Sequence, residues 1–140
     1  MAAVLGVNAT LLASTIGANT VDAGYNKAHL KVMYDSYTAA ALAAGSTITV
    51  CDKLPVGAVI VNVRLINAAL GASSTISVGD ASSAARYIPA TSTAAAAVTN
   101  SSAIAGIGYK VTGTTDNQIV LTTAGAAITG LINVVVEYTV

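Results

Sequence analysis

The residues able to do chemistry are few. The 140-residue chain has one histidine, His29, and one cysteine, Cys51. A Ser-His-Asp relay would have to run through His29, because it needs an imidazole to move the proton. His29 stands between Ala28 and Leu30 in an alternating stretch, on the same side as Lys31. That placement describes a surface or half-buried histidine. A zinc centre needs about four nitrogen or sulfur ligands, and His29 and Cys51 are the only strong ones. Cys51 ends an alternating run beside Asp52 and is expected to be a buried, inert thiol. The acids are Asp22, Asp35, Asp52, Asp80, Asp116 and Glu137. No two lie close enough in sequence to make a carboxylate pair or a calcium loop, so a glycosidase would need the fold to unite distant acids. Gly106-Ile107-Gly108 lacks the third glycine and the following helix of a dinucleotide loop and is expected to be a bend. Asn8-Ala9-Thr10 and Asn100-Ser101-Ser102 match the glycosylation pattern, which is common by chance. Neither a cofactor, nor a metal, nor a small-molecule substrate is expected.

Bulk composition points the same way. Charged residues are 9% of the chain, against a usual ~25%, and six bases cancel six acids. A nucleic-acid footprint needs clustered Lys and Arg, so no direct nucleic-acid partner is expected. Disordered chains are polar and charged, which this one is not. A surface poor in charge suits a permanent assembly better than a dispersed monomer. One cysteine rules out a disulfide within the chain. Mean hydropathy is high at +0.72. Yet Asn62, Arg64 and Asn67 interrupt the most apolar stretch, and Asn133 and Glu137 interrupt the last one. A span needs about 18–20 nearly unbroken apolar residues, so no membrane partner is expected. No Lys or Arg precedes Lys27, so a secretion leader with its basic start is not expected either.

What would position these side chains is a set of strands. In residues 59–65, Val59, Val61, Val63 and Leu65 alternate with Ile60, Asn62 and Arg64. A two-residue period rich in β-branched residues predicts a strand with one buried face. Residues 29–34 set Leu30, Val32 and Tyr34 against His29, Lys31 and Met33. Residues 47–51, 73–78, 86–88, 107–112, 118–123 and 131–140 alternate likewise. The last sets Ile132, Val134, Val136, Tyr138 and Val140 against Asn133, Val135, Glu137 and Thr139. Turns rich in Gly, Pro, Asp and Asn separate the runs. About eight short strands without an amphipathic helix predict an all-β, single-domain antiparallel sandwich, jelly-roll-like. Two Ala-rich stretches, residues 37–44 and 91–98, read as loops with a possible short helix. The first could equally continue the strand before it. All six aromatics are Tyr, so the core must be thin and aliphatic.

Residues 1–26 show no clean period. Val4, Leu5, Val7, Leu11, Leu12, Ile16 and Val21 are scattered among Asn and Gly, with Asp22 the one charge. They read either as an irregular strand of the sandwich or as an extended arm laid on a partner. The division adopted is an arm over residues 1–26 and a sandwich over residues 27–140. Lys27, His29 and Lys31 form a small basic strip, either a solvated strand face or a match for an acidic strip on a partner.

Leu54-Pro55-Val56-Gly57-Ala58-Val59-Ile60, Val78-Gly79-Asp80, Arg86-Tyr87 and the ending from Ile128 through Thr129, Gly130, Leu131, Ile132 and Asn133 to Tyr138 carry a likeness. Over roughly residues 27–140 the chain resembles the jelly-roll cement, or decoration, proteins of tailed bacteriophages. The resemblance implies a structural protein on the outer capsid surface of a virion, made in the host bacterial cytoplasm. It implies binding to a major capsid protein of the HK97 type and self-association, a dimer ahead of a trimer. It transfers no catalytic residue. The contact residues expected are Val4, Leu5, Leu11, Leu12 and Ile16 on the arm, with Lys27, Lys31, Glu137 and Tyr138. A tail-fibre or receptor-binding sandwich is the alternative, weakened for sugars by the absence of Trp and Phe. A surface-layer or pilus-like subunit would call for a secretion leader.

Overall fold

Alternating β-branched residues form strands throughout the part described by the computed structural model, residues 28–140. The strands are β1 (Leu30–Leu42), β2 (Thr47–Val50), β3 (Val59–Asn67), β4 (Thr75–Asp80), β5 (Ser83–Ser92), β6 (Ala97–Asn100), β7 (Ile119–Ala124) and β8 (Ile128–Thr139). They make two four-stranded antiparallel sheets, ordered β1-β8-β3-β6 and β2-β7-β4-β5. This interleaving of eight strands over two layers is the jelly-roll arrangement. The expected all-β sandwich is what the chain forms. The arm expected over residues 1–26 lies outside the described residues, as does Lys27.

The core is aliphatic, as a chain without Phe or Trp requires. Ile60, Val63, Leu65, Ile76, Val78, Ile88, Ile119, Leu121, Ile132, Val134 and Val136 are at most 1% exposed. β8 lies between β1 and β3 and contributes Ile132, Val134, Val136 and Tyr138 to the interior. Burial of each such aliphatic side chain contributes roughly 1.5–3 kcal/mol.

Several local expectations are corrected. In β1 the faces are reversed: Leu30, Val32 and Tyr34 are exposed, while Met33, Tyr37 and Ala39 pack inward. The cause is register. Met33 sits opposite Val136 and Tyr37 opposite Ile132, the buried residues of β8, so inward and outward parity is dictated by the neighbour. In β3 an irregularity between Ile60 and Asn62 breaks the alternation, so Ile60 turns inward and Val61 outward. The Ala-rich residues 37–44 continue β1 as far as Leu42, and the second stretch ends in β6, which pairs with β3. Cross-strand pairing overrides the helix propensity of alanine. β5 runs through Pro89, where its register with β4 shifts, and β5 is an edge strand. A proline is tolerated there because no ladder bond is asked of it. Residues 107–112 form no strand. Their backbone instead bonds irregularly to the entry of β3, with Gly57 and Ile60 donating to Val111 and Tyr109 and with Gly108 and Val111 donating to Ile60 and Ala58.

Candidate functional site

The densest cluster of polar chemistry joins the β4–β5 hairpin to the loop before β7. Asp80 ends β4 with its side chain fully buried. Its carboxylate accepts from the backbone N–H groups of Ser82 and Ser83 at 2.9 Å each, from the Ser82 hydroxyl at 2.7 Å, and from the Arg86 guanidinium. The Arg86 guanidinium lies 4.0 Å from the centre of the Tyr109 ring. The Tyr109 hydroxyl donates to Asp116 Oδ2 at 2.7 Å. Asp116 also accepts from Thr112 N and Oγ1 and from Gly113 N.

The electrostatics are those of a closed network. Burial works to raise the Asp116 carboxyl, but the hydrogen bonds from Tyr109 and Thr112 outweigh it and hold the group well below the usual carboxylate range. The hydrogen bond to Asp116 is the main reason Tyr109 is raised. Burial lowers Arg86, and the bond and charge of Asp80 more than reverse this. Arg86 and Asp116 are thus held in their charged forms and already bonded, while the buried Tyr87 hydroxyl beside them has no hydrogen-bond partner among the described residues. The backbone is equally tight. A Cβ on Gly79 would sit 1.9 Å from the Ser83 carbonyl oxygen, and one on Gly106 would sit 2.4 Å from that of Arg86. The cluster pins two loops together and presents no free nucleophile.

The other chemical candidates resolve in the same direction. Cys51 is 3% exposed, and burial, assisted by the charge of Asp35, pushes its thiol up to about 12. Its backbone N–H donates to Asp35 Oδ2 at 3.0 Å, clipping the end of β2 to β1. His29 is exposed. A shallow depression of about 360 Å³ is lined by Thr47, Thr49, Val120 and Thr122 and walled by residues 80–84. Its lining has hydroxyls but neither an aromatic ring nor a basic group. No group of three metal-ligating side chains occurs among the described residues.

What the fold does present is surface. On the outer side of the β1-β8-β3-β6 sheet, Tyr34, Val135, Arg64 and Asn100 form one cross-strand row. Ser36, Asn133, Ile66 and Val98 form the next. Leu30, Val32 and Tyr34 are each about 60% exposed, joined by Val98 at 61% and Leu131 at 46%. Arg64 and Glu137 pair at 3.1 Å and leave no net charge between them. The loop after β6 holds Ile104 at 96% and Ile107 at 54% exposure. That loop is well tied, since Ser102 N and Ala103 N both donate to the Tyr87 carbonyl and Gly106 N to the Ala103 carbonyl.

Of the contact residues expected from sequence, Val4, Leu5, Leu11, Leu12, Ile16 and Lys27 lie outside the described residues. Lys31 is exposed on β1 and Glu137 lies on the outer sheet face, bonded to Arg64. Tyr138 is 7% exposed and belongs to the core, so its ring supports the sheet from within. Sequence reasoning missed the Asp80–Arg86–Tyr109–Asp116 network, although the acidic turn residues and the Arg86-Tyr87 pair were its visible parts. It also missed Ile104, whose neighbours in sequence gave no sign of exposure.

No family model matches the chain, and no curated protein matches it. Solved structures do. A chain of the cyanophage Pam1 capsid asymmetric unit superposes with a TM-score of 0.73 at 26% identity, covering 92% of this chain and 95% of that one. A chain of the capsid of Ralstonia phage GP4 superposes with a TM-score of 0.62 at 21% identity, covering 79% and 84%. The second likeness shows the shared fold. The first supports a capsid-associated phage protein with a structural role in the virion.

Proposed function

We propose that this chain is a cement protein, bound to the outer surface of a phage head and bridging subunits of an HK97-type major capsid protein. The observation that carries the reading is the near end-to-end likeness to a chain of the Pam1 capsid, with 92% and 95% of the two chains covered. Both chains are therefore small sandwiches of similar length. A two-layer unit of this size suits attachment to a finished shell.

The physics of such a role is simple. A protein that binds the assembled lattice and not its free subunits stabilises the lattice by mass action. Touching two subunits through one rigid body raises the effective concentration of the second contact. Residues 1–26 supply the lattice contact in this reading, through Val4, Leu5, Leu11, Leu12 and Ile16. The sandwich self-associates, as a dimer ahead of a trimer. Few charges leave little Coulombic attraction to screen, so about 0.5 M salt is not expected to release the protein.

Removing residues 1–26 tests the reading. The truncated chain is expected to keep its strand-rich circular dichroism and cooperative melt but to lose binding to purified heads. Normal head occupancy by the truncated chain would remove the arm from the account.

A further inference from the structure

We propose that β1 is the self-association strand: two copies join edge to edge, β1 antiparallel to β1, with Met33 on the two-fold axis. This deepens the self-association part of the reading above and rests on it. β1 is 13 residues long and stands at the edge of its sheet, with β8 on one side and no described strand on the other. A long, open edge is a template for a further strand. Native edges are commonly guarded by charge, bulge or proline, and β1 runs unbroken in register from Leu30 to Ala39.

The residue pattern says which strand fits. Lys31 and Asp35 lie two positions either side of Met33 on the same parity. In an antiparallel pair centred on Met33, Lys31 of each copy faces Asp35 of the other, giving two opposite-charge pairs. Opposite charges directly across a ladder stabilise it, and like charges oppose it. Asp35 is held in place for this, since its carboxylate accepts from Ser36 N at 2.8 Å and Cys51 N at 3.0 Å. On the other parity Val32 faces Tyr34 of the second copy. The exposed apolar row of Leu30, Val32 and Tyr34, now open to water, doubles across the junction into one apolar strip. Two four-stranded sheets would become one of eight strands. The net charge of zero means the two copies do not repel at long range.

The test uses the purified full chain. Sedimentation velocity at tens of micromolar is expected to show a dimer. Lys31→Glu places a carboxylate opposite Asp35 twice and is expected to weaken the dimer at least tenfold with unchanged circular dichroism and melting. Register is read by disulfide capture. An equimolar, co-refolded mixture of Val32→Cys and Tyr34→Cys is expected to form a covalent dimer under mild oxidation. Each variant alone is expected to cross-link far less, because its thiols are diagonal, about 7–8 Å apart between α-carbons. A monomeric wild-type chain would overturn the proposal, whether the edge is taken by residues 1–27 or by a capsid subunit. So would a dimer indifferent to Lys31→Glu, or one that Val32→Cys captures by itself. Head binding by the unaltered full chain separates this failure from failure of the cement reading: a monomer that still binds heads overturns only the strand pairing, and a chain that binds no heads overturns the cement reading.

Discussion

At the scale of single residues, the chain spends its few charges on structure. Asp80 is buried with Arg86 against it, and Arg86 in turn covers the Tyr109 ring. Taking one partner from a buried ion pair strands the other, at a cost of about 3–5 kcal/mol. Arg86→Ala is therefore expected to lower stability by that order in urea melts. Arg86→Lys is expected to recover only part, because an ammonium lacks the planar fork that bonds Asp80 and stacks on the ring. Asp116 gives a pH signature. Its folded value is depressed, so its contribution is complete above its ordinary 3.8 and is lost only as pH falls towards the lower folded value. Asp116→Asn is expected to be less stable than wild type at pH 7, with the gap closing as acid is added. Equal stability of the two proteins at pH 7 would count against the network. Cys51 has the opposite sign. Its raised thiol favours folding below its ordinary 9.0, and that contribution fades as pH rises towards about 12. Native protein is expected to react with a thiol reagent only at its unfolding rate.

At the scale of elements, the chain shows where a period of two is enough and where it is not. β8 could be read directly, because Ile132, Val134, Val136 and Tyr138 alternate with residues that face water. Ile132→Ala is expected to cost about 2–5 kcal/mol, since it leaves a cavity beside an inner strand of its sheet. Val98→Ala, at 61% exposure on β6, is expected to change stability by less than about 0.5 kcal/mol. Chemical denaturation of the two variants side by side checks both. β1 could be read as a strand but not as to which way it faces. Both of its parities carry large side chains, Leu30, Val32 and Tyr34 on one and Met33 and Tyr37 on the other. Only the register with β8 decides between them, and register is a long-range fact. β6 was hidden for a related reason. Its four residues, Ala97-Val98-Thr99-Asn100, follow a run of alanines and are too few to show a period, and it exists because Arg64 to Asn67 of β3 offer a partner. The same limit hid the polar network. Asp80 and Arg86 are neighbours in sequence, but Tyr109 and Asp116 join them only once the loop folds back over β5.

At the scale of the whole molecule, two sheet faces differ in character. One outer face carries an exposed apolar row beside a neutralised ion pair, and the other carries the hydroxyls of Thr47, Thr49 and Thr122. A body with so little charge and an apolar outer face gains by being covered, and a capsid lattice with a second copy would cover it. The likeness to a chain of the Pam1 capsid gives that physical argument a setting. The most direct test is quantitative mass spectrometry of purified virions. The account predicts this chain in a fixed ratio to the major capsid protein, at hundreds of copies per head. Its absence from purified particles, or its presence at only a handful of copies, would contradict a role in cementing the shell.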